Sequence, residues 1–269
     1  LFWLNLLLLA AGALGLSWNT QVLMNCNEVN LICYPICAAL FTVLAYLVMR
    51  SRLLFKHQNE MPASLPVKTT VATIIAVAFV TAILLFQMFN KQLFQLPQMI
   101  VCVVTFVLSF FYFIPLNFSK NGKRLRDIYW LKHFVVGLNW SLATVALPCG
   151  FSFSNTFWGF FLQVFFLIAA LSLSFDLRDA RLDEIENHQS FLLVKGEKKL
   201  KLVCGCLLFC CAVLLIFFSP TITQVILTLL LLVIIFFIII RIKPNDHSAK
   251  FNVLLESAIL LFAILGMVF

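Results

Sequence analysis

Long apolar runs recur along this chain, and they restrict its fold more than any other feature. They span about Leu1–Leu16, Leu31–Val48, Val67–Phe89, Gln98–Ile114, Leu131–Leu147, Thr156–Phe175, Leu202–Phe218, Ile222–Ile240 and Phe251–Phe269. A helix rises about 1.5 Å per residue, so runs of about 17 to 25 residues match a hydrocarbon core about 30 Å thick. With 63% hydrophobic and 11% charged residues in 269, no soluble core could bury the apolar surface. The pattern predicts an all-α polytopic membrane protein, a single domain over residues 1–269 with nine transmembrane helices. Residues 17 to 30, carrying Asn19, Asn25, Asn27, Glu28 and Asn30, are expected to form a loop, as is the segment from Pro148 to Asn155. Ser219, Pro220 and Thr221 separate two runs so narrowly that they mark either a hairpin or a proline kink within one longer helix.

The net charge of +8 reads as topology. If nine runs cross the bilayer, the loops after the second, fourth, sixth and eighth share one face, and every basic residue except Lys91 falls there or on its flanks. Positive charge accumulates on the cytoplasmic side. This places the N-terminus and the charged loops in the cytoplasm. No zinc-finger spacing or RNA-binding motif accompanies the charge, so nucleic acid is not an expected partner.

Cys33, Cys37, Cys102, Cys204, Cys206, Cys210 and Cys211 lie in or beside apolar runs, which suits small buried hydrophobes. Cys26 and Cys149 fall near the opposite face, where a disulfide can form.

The clearest chemical signal is S-F-D-L-R-D-A-R-L-D-E, from Ser174 to Glu184. On a helix, Asp176, Asp179 and Asp183 can face one side, and clustered like charge costs free energy unless cations share the site. One reading is a Mg2+ site at the membrane surface, with the cation shared between carboxylates and a phosphorylated ligand. The plainer one is an ordinary helix extension, its acids paired with Arg178, Arg181 and the following lysines. Lys123, Arg124 and Arg126, in the basic loop on the same face, could neutralise diphosphate oxygens or simply fix topology. Polar groups at membrane depth normally face protein or water, which applies to Tyr46, Asn139 and Glu256 unless each caps a nearby backbone group or sits close to the interface. His133, Asn139, Ser141 and Thr144 should turn the fifth helix inward for the same reason.

D-L-R-D-A-R-L-D, from Asp176 to Asp183, resembles the second aspartate-rich motif of the UbiA prenyltransferase superfamily. Gly196 to Lys199, Tyr112 to Leu116 and Lys123 to Ile128 also resemble a bacterial branch of it. The resemblance implies a UbiA-like bundle of nine transmembrane helices and transfer of a polyprenyl group from polyprenyl diphosphate to an aromatic or lipid-like, hydrophobic acceptor. It implies metal binding by Asp176, Asp179 and Asp183 with Mg2+ as cofactor, and diphosphate binding by Lys123, Arg124, Arg126 and Arg50. Tyr46 and Asn139 would be polar residues of the cavity. The first family motif is degenerate: Thr42 to Arg52 contains no acid. Leu47 and Met49, standing where polar groups are expected, cannot ligate a hard cation. The competing expectation is a non-catalytic protein of the same fold that binds isoprenoid or membrane lipid or organises the membrane. Transport ranks lower, because no paired set of broken spans is present.

Overall fold

The computed structural model describes residues 2–24, 32–56, 73–78, 81–83, 85–86, 95–113, 125–150, 154–185, 189–219, 221–244 and 249–267. Among them all regular structure is helical. The main elements are α1 (Phe2–Met24), α2 (Cys33–Lys56), α3 (Leu96–Phe113), α4 (Leu131–Ser141), α5 (Asn155–Ile185), the short α6 (Phe191–Lys195), α7 (Glu197–Phe218), α8 (Ile222–Arg241) and α9 (Ala249–Met267). Within these elements the segments Leu4–Met24, Asn155–Ala180, Glu197–Phe218 and Ile222–Arg241 are long and apolar enough to cross a membrane. Cys33–Val48, Leu96–Tyr112 and Val253–Gly266 are shorter apolar helices, so among the described residues four helices reach spanning length, against the nine expected, in an all-helical architecture consistent with a membrane protein.

α5 is the axis of the bundle. Its apolar segment is 83% buried within the protein, against 28% for α7 and 39% for α8. The difference follows from side-chain placement: Phe157, Leu167, Leu171, Leu173 and Leu177 of α5 are fully enclosed, whereas Phe209, Phe217, Leu230 and Phe237 of α7 and α8 point outward. Outward apolar residues on a spanning helix suit contact with lipid chains. α5 packs against α4 and α7, while α1 packs against α2 and α9. Cys204 and Cys211, both buried, donate from Sγ to the carbonyls of Ala170 and Gln163 across 3.5 Å. The two thiols thereby fasten α7 to α5. Cys206 and Cys210 are exposed, contrary to the expected burial, because they sit on the outer face of that helix.

Close approach of α4 to α5 depends on Gly137, where an added β-carbon would lie 2.8 Å from Phe165 O. α4 continues into a π-helical turn, Leu142–Ala146, and a final turn, Leu147–Cys149. His133, Ser141 and Thr144 are buried, so the polar residues do turn this helix inward.

Two expected loop boundaries move. α1 runs on to Met24, and Asn19, Thr20 and Gln21 are buried helical residues rather than loop. Neighbouring helices enclose this polar turn, and the Thr20 hydroxyl returns a 2.8 Å hydrogen bond to Leu16 O. Pro148 lies inside the last turn of the α4 extension rather than in a loop, so the expected boundary moves to Gly150. The hairpin between α7 and α8 stands where expected, with Thr221 accepting from Gln224 N at 3.3 Å as the cap of α8. Cys149 is disulfide-bonded. The expected partner, Cys26, lies outside the described residues.

Candidate functional site

The acidic motif occupies the C-terminal end of α5, and the structure gives its three carboxylates three different environments. Asp176 is fully buried and fully engaged. Its Oδ1 accepts from Lys132 Nζ at 2.7 Å. Its Oδ2 accepts from the backbone N–H of Phe191 at 3.0 Å and lies 3.1 Å from His133 Nε2. A nitrogen facing a carboxylate carries the proton, which leaves His133 Nδ1 to accept from the Ser172 hydroxyl at 3.0 Å. Asp176 therefore binds the start of α4 and the start of α6 to α5. Such a paired buried charge contributes position more than net stability, although removing one partner is costly.

Ser172, His133 and Asp176 form a hydroxyl–imidazole–carboxylate line, yet the arrangement falls short of a nucleophilic triad. Ser172 lies in mid-helix, where neighbouring backbone N–H groups are consumed by the helix and cannot hold an oxyanion.

Asp179 is one-third exposed and is clamped by its neighbour, with Arg178 Nε donating to Oδ1 at 2.7 Å and Nη2 to Oδ2 at 2.8 Å. The guanidinium also lies 4.5 Å from the Phe175 ring centroid. Tyr46 of α2 and Glu256 of α9 are within electrostatic range of Arg178, so this side of α5 faces those two helices. Glu256 is buried, and its Oε2 has no hydrogen-bond partner among the described residues.

Asp183 is buried, and its Oδ2 likewise has no hydrogen-bond partner among the described residues. Burial pushes its carboxyl up to about 6; Lys132 and the Ser190 hydroxyl act against that rise, and the charges of Asp176 and Asp179 add to it. Ser190 also caps α6 by accepting from Leu193 N at 3.4 Å.

Of the other expected site residues, Arg126 is half-buried in the short turn Leu125–Asp127, and Lys123 and Arg124 lie outside the described residues. Arg50 is helical in α2, but its side chain lies outside them. Tyr46 is half-buried. Asn139 donates from Nδ2 to Ser109 Oγ at 3.2 Å and ties α4 to α3. Lys132, Ser172 and Ser190 carry no distinguishing signal in the sequence, and His133 reads there only as an inward-facing polar residue. The one advance signal was K-H at a helix start on the same face as a buried acid, and nothing local names their partner.

Among the described residues, no three His, Cys, Asp or Glu side chains gather into a metal cage. The fit to Mg2+ rests on fewer donors. Mg2+ is commonly held by one or two carboxylates together with substrate phosphates and water. Asp183 offers a free, enclosed oxygen, and Asp179 is accessible once it leaves Arg178. No protein-family model and no curated protein matches this chain.

Proposed function

We propose that the chain is a membrane-embedded prenyltransferase of the UbiA type, transferring a polyprenyl group from polyprenyl diphosphate to a hydrophobic acceptor. The observation that carries this reading is Asp183, a buried carboxylate at the end of a largely enclosed apolar helix, one of whose oxygens has no partner among the described residues. In this reading Asp183 and Asp179 hold Mg2+ on the diphosphate, while Asp176, Lys132 and His133 fix the helix ends around them. Bound there, the cation would neutralise charge on the departing diphosphate. Arg126, with Lys123 and Arg124 beside it in sequence, would receive diphosphate oxygens. The apolar bundle would take the prenyl chain, and Tyr46 and Asn139 would be polar residues at its margin. The asymmetry of basic residues along the chain supports a cytoplasmic headgroup site, which on this reading lies in a bacterial inner membrane. The Cys149 disulfide, at the other end of the α4 extension, supports an oxidising opposite face.

A second reading draws on specific observations. Asp176 and Asp179 already carry cations of the protein itself, and α2 supplies no acid between Thr42 and Arg52. A fold with these features binds isoprenoid lipid without turning it over.

The deciding experiment incubates lipid-reconstituted protein with labelled polyprenyl diphosphates, candidate acceptors and Mg2+. The transferase reading expects metal-dependent product and diphosphate release, both lost in Asp183→Asn and reduced in Asp179→Asn. Absence of release across the panel, with prenyl-chain binding intact in both variants, establishes the second reading instead.

A further inference from the structure

At the opposite end of the bundle, roughly 40 Å along α5 from Asp183 at helical rise, a cavity of about 90 Å³ lies among the ends of α1, α5, α7, α8 and α9. On polar grounds its important lining residues are Asn19, Gln163, Gln224 and Thr228, each at least nine-tenths buried. Neither Asn19 Nδ2 nor Asn19 Oδ1 has a hydrogen-bond partner among the described residues, and the same holds for Gln224 Oε1. Gln163 is anchored, donating from Nε2 to Leu214 O at 3.1 Å. Gly266 makes room for the Asn19 amide, since a β-carbon there would collide with it.

A buried polar atom left unpaired costs about 1 to 3 kcal/mol. Three such atoms around one cavity call for an occupant that both donates and accepts. No charged residue lines the cavity among the described residues, so a charged occupant would lose its hydration without a counter-charge there. The volume exceeds the 10 to 15 Å³ or so that a single water needs. Phe160, Phe218 and Phe262 form apolar wall that water alone leaves unmatched. Carbon-bound hydroxyls meet both demands: each donates to a free amide oxygen, accepts from Asn19 Nδ2, and sets its carbon against an aromatic ring.

We propose that this cavity is a binding site for a small neutral hydroxyl-bearing group, a polyol or the glycerol headgroup of an uncharged lipid. The site is independent of the acidic motif and of any transfer reaction there.

Glycerol serves as the probe, observed by saturation-transfer NMR on the full chain in nanodiscs. Wild-type protein is expected to give a glycerol signal saturating in the millimolar range. Binding should weaken about tenfold on loss of a hydrogen-bonding amide in Asn19→Leu or Gln224→Leu, and also in Gly266→Ala, while Asp183→Asn leaves it unchanged. Nanodiscs containing diacylglycerol separate the two sources: displacement of glycerol assigns the site to the lipid headgroup, and undiminished signal assigns it to the free polyol. The proposal is overturned by no signal from wild-type protein, by equal competition from acetate or methylammonium, or by variants of unchanged helicity and elution that retain full signal. The wild-type arm alone suffices to reject it should the variants fail to fold.

Discussion

The two ends of α5 handle buried polarity in opposite ways. At the acidic end, Asp176 meets a lysine, an imidazole and a backbone N–H, and three elements are held together by one carboxylate. At the far end, neutral amides are equally enclosed, yet Asn19 and Gln224 retain atoms unpaired among the described residues. The difference teaches that burial alone does not identify a binding site. A charge saturated by its own chain behaves as a structural joint, whereas an enclosed group left unsatisfied is available to something else. By that criterion Asp183 belongs with Asn19 and Gln224, although it lies on the same helix end as Asp176.

The largest test of the contrast is Lys132→Met, which strands the Asp176 charge. Breaking a buried pair costs about 3 to 5 kcal/mol, so thermal unfolding in detergent should occur at markedly lower temperature. Lys132→Met combined with Asp176→Leu should recover much of that loss. Failure of the double variant to improve on the single one would show that Asp176 does more than join helices.

Asp183→Asn should act in the opposite direction. Burial raises the folded carboxyl to about 6, above the unfolded value near 3.9, so folding favours the protonated form. The contribution to stability is present below about pH 4 and is lost as pH rises through about 6. Relative to wild type, the variant should therefore gain about 1 to 2 kcal/mol between pH 4 and pH 8, allowing for partial solvation. A pH-independent difference would place Asp183 in a solvated setting and remove the parallel with the far end. Over the same interval, divalent-cation binding to wild type should strengthen with rising pH, as measured by Mn2+ paramagnetic broadening.

Smaller still is Asn19→Leu, measured without polyol. Replacing an unpaired buried amide by an apolar group of similar size should change stability by less than about 1 kcal/mol, or raise it. A loss as large as that of Lys132→Met would mean the amide is satisfied and would abolish the distinction between the two ends. Arg178→Gln, which breaks a partly exposed pair on one helix, should cost at most about 1 kcal/mol.

Where the controlling interactions are local, the chain discloses its structure. The hairpin after Phe218 follows from three breaking residues and a threonine cap, and the inward face of α4 follows from the need to shelter His133, Ser141 and Thr144. The acids do lie on one continuous helix, as their spacing suggests. Partnership is a different matter. Lys132 and Asp176 stand 44 positions apart, and a basic residue at a helix start reads equally well as a topology signal. The end of α1 was hidden for a related reason: Asn19, Thr20 and Gln21 resemble loop residues until neighbouring helices enclose them. Whether Asp183 or Asp176 is the available carboxylate depends on these distant contacts, which spacing along one helix does not encode.

The wide turn at Leu142–Ala146 has a consequence for how α4 is altered. It inserts extra backbone into a rod that otherwise repeats every 3.6 residues, so side chains before and after it follow two angular phases. One helical wheel drawn through Lys132 and Pro148 misassigns one half or the other. Excising a single residue there would let the wide turn close to an ordinary α-helical one and leave Lys132 and Gly137 facing Asp176 and Phe165. Excising one from the regular turn between Gly137 and Ser141 would instead swing them around the axis by about 100° relative to the far half, although every side chain in the polar joint would remain.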